Sequence, residues 1–405
     1  MASLQPTLPG ERIEVLDAMR GFALVGILLA NLVSFAGFHL LAFDAAQALP
    51  AADRTVLFAI DWLIEGKFYA LFSLLLGVGF QLQWERAQRA GIGFLPMWYR
   101  RMIALTAIGL IHICLIWHGD ILTLYSLLGM LLPIFVGLSI RGLKISVFAL
   151  LTMPLAIQTF VMFTSDHAFW SSSTRFIAEV KATLGLENRS SFELLTSPSA
   201  REVLAANAMG AMQRPMAYLQ TGRIPQVLGQ FLLGVLLART LLPRLLRNDP
   251  LPRTWKLFAA LGLIASFGYA WIKALTGSAF SLDGLGFLQG VVYHAGSTLL
   301  VLGYAAGLAM AWRSILLQRV LRPLATLGRM ALTNYITQSI VGILLFYGYG
   351  FSLMGRLPFA AIPLIAAVVL LAQWCFCRAW LSRAPQGPLE YVWRRLAYGS
   401  LPRNV

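Results

Sequence analysis

The chain is predicted to be an all-α integral membrane protein with about ten transmembrane helices and both termini in the cytoplasm. Three observations predict this class. Of its 405 residues, 58% are hydrophobic and only 12% charged, with a mean hydropathy of +0.72. A soluble domain carries about 25% charged residues, so lipid must cover a chain this apolar. Apolar runs of about 20 residues, enough to cross a bilayer, recur along its length. Finally, the net charge of +15 is concentrated in alternate connections between those runs, the pattern of the positive-inside rule.

The runs fall at 17–39, 56–81, 100–118, 120–139, 144–164, 226–243, 255–275, 286–312, 324–348 and 358–380. No small-residue cleavage site follows the first, so it reads as a retained helix rather than a signal peptide. Only His118-Gly119-Asp120 separates the third from the fourth, predicting a tight helical hairpin. Residues 165–225 form the one long polar segment, expected outside the bilayer with short amphipathic helices on or over the membrane. The chain thus divides into a five-helix half (1–164), this outer loop (165–225), and a second five-helix half with a cytoplasmic tail (226–405).

Orientation follows from the basic residues. With the N-terminus inside, the inner segments hold Arg12, Arg20, Arg86, Arg89, Arg100, Arg101, Arg141 and Lys144 in the first half, and most of the arginines of the second. The short outer loops hold only Arg54, Lys273 and Arg356. Topology and attraction to anionic lipid headgroups account for this basicity, so nucleic acid is not an expected partner. Cys114, Cys375 and Cys377 lie in apolar runs and have no metal spacing. No metal is expected. Neither a P-loop nor a nucleophile elbow is present in a credible context.

Ionisable groups inside a membrane usually face a bundle interior and mark function. In the first run Arg20 and Asn31 are eleven residues apart, which places them on one helical stripe about 16 Å apart. Arg101 and His112 repeat that spacing in the third run. The second run carries Asp61, Glu65 and Lys67, with Asp61 and Glu65 one turn apart. In the ninth, Arg329 at the inner end precedes Asn334 and Gln338. His39 and Asp120 stand at outer helix ends. The pattern is an inner ring of arginines beneath an outer-half polar cluster. Each residue also has a structural reading: headgroup anchors for the arginines, an ion pair for Asp61 with Lys67, a core histidine for His112, interhelical glue for Asn334 and Gln338. His294 is read as structural. Gly303 and Gly307 suit close helix packing and offer a contact for a homodimer.

The segments RIEVLDAMRGFALVGILLAN (12–31), EGKFYALFSLLLGVGF (65–80), RRMIALTAIGLIHICLIWHGDILTLYSLLGM (100–130), LGRMALTNYITQS (327–339) and GPLEYVWRRLAYG (387–399) resemble the bacterial YeiB family in order along nearly the whole chain. That resemblance implies the bacterial cytoplasmic (inner) membrane. The first helix is also similar to the transmembrane acyltransferase superfamily that includes heparan-alpha-glucosaminide N-acetyltransferase. There, acetyl-CoA binds from the cytosol and the acetyl group passes to an amino sugar on the far side. The likeness implies an acyltransferase-like core in the first half. His39 is the nearest counterpart of that enzyme's loop histidine, and Asp61 resembles its second-helix aspartate. Gln338 stands where its ninth span has a histidine.

The expected function is therefore transfer of an acyl group from cytoplasmic acyl-CoA or acetyl-CoA to an acceptor at the outer face, a sugar, lipid or small molecule. Arg20, Arg100, Arg101 and Arg329 would hold the phosphates, with Asn334 beside the thioester. His112 or His39 would act as base, with Asp61 or Asp120 orienting it. Asn31, Asn334 or Gln338 would stabilise the oxyanion. The alternative is a transporter or flippase of an anionic lipid or metabolite, in which the outer cluster relays protons. No inverted repeat links the two halves, which disfavours common transporter plans.

Overall fold

The computed structural model of the protein describes residues 13–165, 169–277, 280 and 283–398. Arg12, counted above among the inner basic residues, lies outside the described residues. Among the described residues the only regular structure is helical, with no strand. The main helices are α1 (Glu14–Phe35), α2 (Ala51–Leu63), α3 (Lys67–Arg89), α4 (Leu95–Ile111), α5 (Leu122–Gly129), α6 (Ile140–Phe163) and α7 (Ala200–Gln220). They continue as α8 (Arg223–Thr240), α9 (Thr254–Thr276), α10 (Gly284–Trp312), α11 (Ile315–Arg329), α12 (Ala331–Phe346), α13 (Ile362–Leu381) and α14 (Pro388–Tyr398). Shorter helices occupy the connections.

All ten expected runs fall on helical segments, and seven are long and apolar enough to cross a membrane alone. These are α1 with the turn after it, α2–α3, α4 with the turn after it, α6, α9, α10 and α13; α12 is apolar but shorter. Large apolar side chains such as Phe148 and Leu364 project outward from the bundle. That exterior is the surface lipid would cover.

α1, α3 and α8 form the centre. Small residues let their backbones approach closely, since association in lipid depends on packing rather than on a hydrophobic drive. A methyl at Gly77 of α3 would collide with the Phe231 carbonyl of α8, and one at Gly234 with the Leu74 carbonyl, so this crossing is locked from both sides. Gly21 of α1 meets the Leu324 carbonyl of α11, and Gly328 meets the Asp17 carbonyl in return. The two expected halves therefore pack through each other. Gly303, expected at a dimer contact, instead packs against Ala259 of α9 within the same chain, and Gly307 faces open space.

The second expected span is not one continuous helix. Its helical path breaks over Ile64–Gly66, where Gly66 adopts φ +82°, a left-handed conformation that glycine tolerates without strain. Asp61 and Glu65 consequently do not share a helix face. The 118–120 hairpin forms as expected. α4 widens into a π-turn at His112–Ile116, then reverses into α5. Such turns are frequent at functional sites.

Candidate functional site

A cavity of about 790 Å³ opens at the arginine-rich end of the bundle. Its walls are successive turns of α1 (Asp17, Arg20, Leu24, Ile27) and α3 (Phe72, Leu76, Gly79, Gln83, Arg86), joined by α4, α5, α12 and α14. The spacing of these residues puts one stripe of each helix on the cavity. Gly79 leaves the space into which the Arg20 guanidinium reaches.

The amphipathic tail helix α14 packs beneath this opening. Trp393 stacks on Arg101, whose Cζ lies 4.1 Å from the ring centre, and its Nε1 donates to the Arg101 carbonyl at 2.8 Å. Glu390 accepts from the Thr333 amide at 3.0 Å and from its hydroxyl at 2.6 Å, which ties α14 to α12. Six guanidinium groups line the cavity, on Arg20, Arg86, Arg89, Arg101, Arg329 and Arg394, against the carboxylates of Asp17 and Glu390. Asp17 accepts from Arg20 at 2.6 Å, and Glu390 is engaged by Thr333. The Nε atoms of Arg101 and Arg329 are buried without a partner. Burial, and then the nearby Arg101, pull Arg394 below its ordinary pKa. Arg89 is paired with Glu85 at 3.3 Å, yet guanidinium groups still outnumber carboxylates along this wall, and such a density suits a polyanion, above all phosphate. By contrast Arg239 is satisfied by the Val136 and Leu138 carbonyls, both at 2.9 Å, and is structural.

At the cavity's other end lie Ile121 and Tyr335. Just behind them His112 Nδ1 sits 2.9 Å from Asp120 Oδ1. The His112 side chain is fully buried and its Nε2 has no partner. Its ring centre lies 5.2 Å from that of Tyr335, whose hydroxyl accepts from the Ile121 amide at 3.3 Å. Asp120 Oδ2 also accepts from the Thr123 amide at 2.7 Å, so the carboxylate is fixed before it meets the imidazole. Gly109 packs directly on Thr123. This contact closes α5 over the upper part of the α4 stripe and holds His112 behind the wall rather than on it.

α7, from the long polar segment, covers the hairpin. Asn207 Oδ1 accepts from the His118 amide at 2.5 Å, and its Nδ2 donates to the Ile113 and Cys114 carbonyls at 2.9 and 3.1 Å. Tyr218 donates to the Asp120 carbonyl at 2.7 Å and Arg214 to the His118 carbonyl at 2.9 Å.

The expected site residues do not all meet. Arg20, Arg101 and Arg329 meet in the cavity, and His112 meets Asp120 behind it. Asn31 continues the α1 stripe beyond Ile27 but is not part of the cavity wall, and its side chain forms no hydrogen bond among the described residues. His39 and Asp61 gather instead at a small separate pocket with Glu65 and Lys273. There Lys273 donates to Asp61 at 2.6 Å, while Lys67 reaches only the Asp61 carbonyl, at 2.8 Å. The expected Asp61–Lys67 ion pair is thus an Asp61–Lys273 pair, because the break before Lys67 turns that side chain back on the helix end.

The remaining expected residues are not brought to the cavity. Arg100 is exposed on the outer side of α4. Asn334 and Gln338 are buried against α13, because the cavity-facing stripe of α12 is Ala331, Leu332 and Tyr335. Asn334 donates to the Leu327 carbonyl at 2.9 Å, and Gln338 to Gln373 at 2.9 Å. Arg394, Trp393, Gln83 and Tyr335 were not anticipated. The four-residue recurrence of Leu389, Trp393 and Ala397 was the available signal for the first two.

Among known proteins, a family profile described as protein of unknown function (DUF418) matches residues 206–400. The chain is 31% identical to "Uncharacterized protein YxaH" of Bacillus subtilis over 98% of its own length and 97% of that protein's. It is 27% identical to "Uncharacterized protein YeiB" of Escherichia coli over 95% and 96%. No solved structure matches it.

Proposed function

Because the chain belongs to the YeiB family, whose members it matches end to end, we propose that it is a transmembrane acyltransferase of the bacterial inner membrane. One observation carries this reading. A single cavity has six guanidinium groups at one end and a buried His112–Asp120 dyad directly behind the other.

In this reading the arginine-rich end faces the cytoplasm and the guanidinium groups bind the phosphates of an acyl-CoA. The reach from Arg20 to the level of Asn31 is about 16 Å along α1, comparable with an extended pantetheine arm. Asp120 accepts from Nδ1–H and so presents the lone pair of His112 Nε2 as a base. A turn of the Tyr335 side chain opens Nε2 to the cavity. Nε2 then takes the proton of an acceptor hydroxyl or amine as its oxygen or nitrogen bonds to the thioester carbonyl carbon. The C–S bond breaks, and the thiolate leaves with the proton returned by the imidazolium. The apposition of Tyr335 to His112 makes it the residue that admits the carbonyl.

The test is binding followed by turnover. CoA and acetyl-CoA raise the melting temperature of the purified protein, and Arg101→Gln and Arg394→Gln suppress the rise. With an acceptor supplied, His112→Ala abolishes transfer but keeps the shift. No shift with any CoA species, together with substrate-dependent proton flux in proteoliposomes, would overturn the reading in favour of transport.

A further inference from the structure

The two halves of the cavity differ in chemistry. The charged and polar side chains, from Arg20 to Arg394 and including Gln83, sit at one end. Beyond them the walls are hydrocarbon: Leu24, Ile27, Phe72, Leu76, Leu105 and Leu332. The exceptions are two tyrosine hydroxyls, and both are engaged. Tyr335 accepts from the Ile121 amide. Tyr125 accepts from Ser73 at 2.7 Å and donates to the Tyr69 carbonyl at 2.5 Å. Among the described residues lining this deep half, the Tyr335 O–H is thus the one donor left over. From Arg20 to Ile27, the part of α1 that spans both ends, the rise is about 10 Å.

A polar group pushed into such a space beyond reach of that hydroxyl would lose its hydration without gaining a partner, which is costly, whereas each buried methylene is favourable. We propose that the cavity binds a phosphorylated amphiphile, with its phosphates on the arginines and a long alkyl chain along the apolar half. The proposal deepens the acyl-transfer reading and, for an acyl-CoA ligand, rests on it: the preferred donor carries a fatty acyl chain rather than acetyl. The same chemistry is offered by an anionic phospholipid with a phosphate monoester head, so the experiment separates the two sources.

The full chain is placed in nanodiscs of zwitterionic phosphatidylcholine, and binding of acetyl-CoA, palmitoyl-CoA and phosphatidic acid is measured. Palmitoyl-CoA should bind about tenfold or more tighter than acetyl-CoA. Ile27→Trp and Leu76→Trp, at two partly exposed wall positions on different helices, should each lower palmitoyl-CoA affinity well beyond any loss for acetyl-CoA, whose pantetheine arm passes the same walls, and so remove that advantage. Arg101→Gln should weaken both ligands. Equal affinities for the two thioesters, or an advantage that persists in both tryptophan variants, would overturn the proposal while leaving acyl transfer standing. Phosphatidic acid binding with the same variant pattern, with neither thioester bound, would support the amphiphile site and overturn acyl-CoA as its ligand.

Discussion

His112 and Asp120 lie eight residues apart in the chain and meet side chain to side chain at 2.9 Å, both fully buried. The π-turn and the α4–α5 hairpin create this contact, and α7 presses on it from the outer side through Asn207, Arg214 and Tyr218. The free Nε2 is the only part of the imidazole that the arrangement leaves uncommitted.

Asp120→Asn should therefore separate catalysis from binding. It keeps the side-chain shape but removes the carboxylate that fixes the Nδ1–H tautomer. Turnover should fall by about 10²–10⁴-fold, with the dissociation constant for the acyl donor unchanged. Steady-state rates beside equilibrium binding check this, and undiminished turnover would remove the dyad from the mechanism.

Two adjacent arginines provide an internal control for the anion site. Arg101 is held in the cavity by Gln83, at 2.8 Å, and by Trp393, whereas Arg100 is exposed. Arg101→Gln should weaken binding of a phosphate-bearing ligand about tenfold. Arg100→Gln should change it little, because an exposed charge is screened by salt. Titration of labelled CoA against the two variants distinguishes them.

Gln338 and Asn334 were candidates for the reacting end, yet the structure turns both toward α13. Gln338→Leu should leave turnover unaltered and lower stability by roughly 0.5–2 kcal/mol, the range for interhelical hydrogen bonds in membranes. A large loss of turnover at unchanged stability would return Gln338 to the site.

Asn207 makes three hydrogen bonds to the hairpin backbone. Asn207→Ala strands those groups in a buried place and should cost about 2–3 kcal/mol. Amide exchange over residues 113–120 should rise before any change in α1 or α3, which mass spectrometry can read peptide by peptide.

The Asp61–Lys273 pair is only 14% exposed on each side chain. Removing one partner leaves a largely buried charge, and Asp61→Leu or Lys273→Leu alone should destabilise by about 3–5 kcal/mol. The double variant should recover most of that loss. Thermal melts of the three variants complete the cycle, and simple additivity would show that the pair carries no coupling.

Several features were legible in the sequence for local reasons. Hydropathy over 20 residues marks a membrane helix whatever its neighbours are. Eleven-residue spacing places Arg20 and Asn31 on one stripe because a helix has 3.6 residues per turn. His118-Gly119-Asp120 between two apolar runs leaves room only for a tight hairpin. The same logic failed in part at Asp61 and Glu65, because the helix ends at Leu63, before Glu65, although both side chains still line one small pocket. It failed again at Asn334 and Gln338, where polarity marked burial correctly but could not say against which neighbour.

The amino-acid order by itself thus determined an all-α membrane protein, its apolar runs, and the residues of each helix that share a stripe. Tertiary structure decided which stripe faces the cavity and which carboxylate meets His112. It also brought the tail helix α14 under the arginines. The reason is that a helix's stripes are set by its own periodicity, whereas its rotation about its axis is set by contact with other helices. Here that rotation depends on the close crossings at Gly21 with Gly328 and at Gly77 with Gly234. Those pairs lie far apart in the chain, and only the folded bundle brings them together.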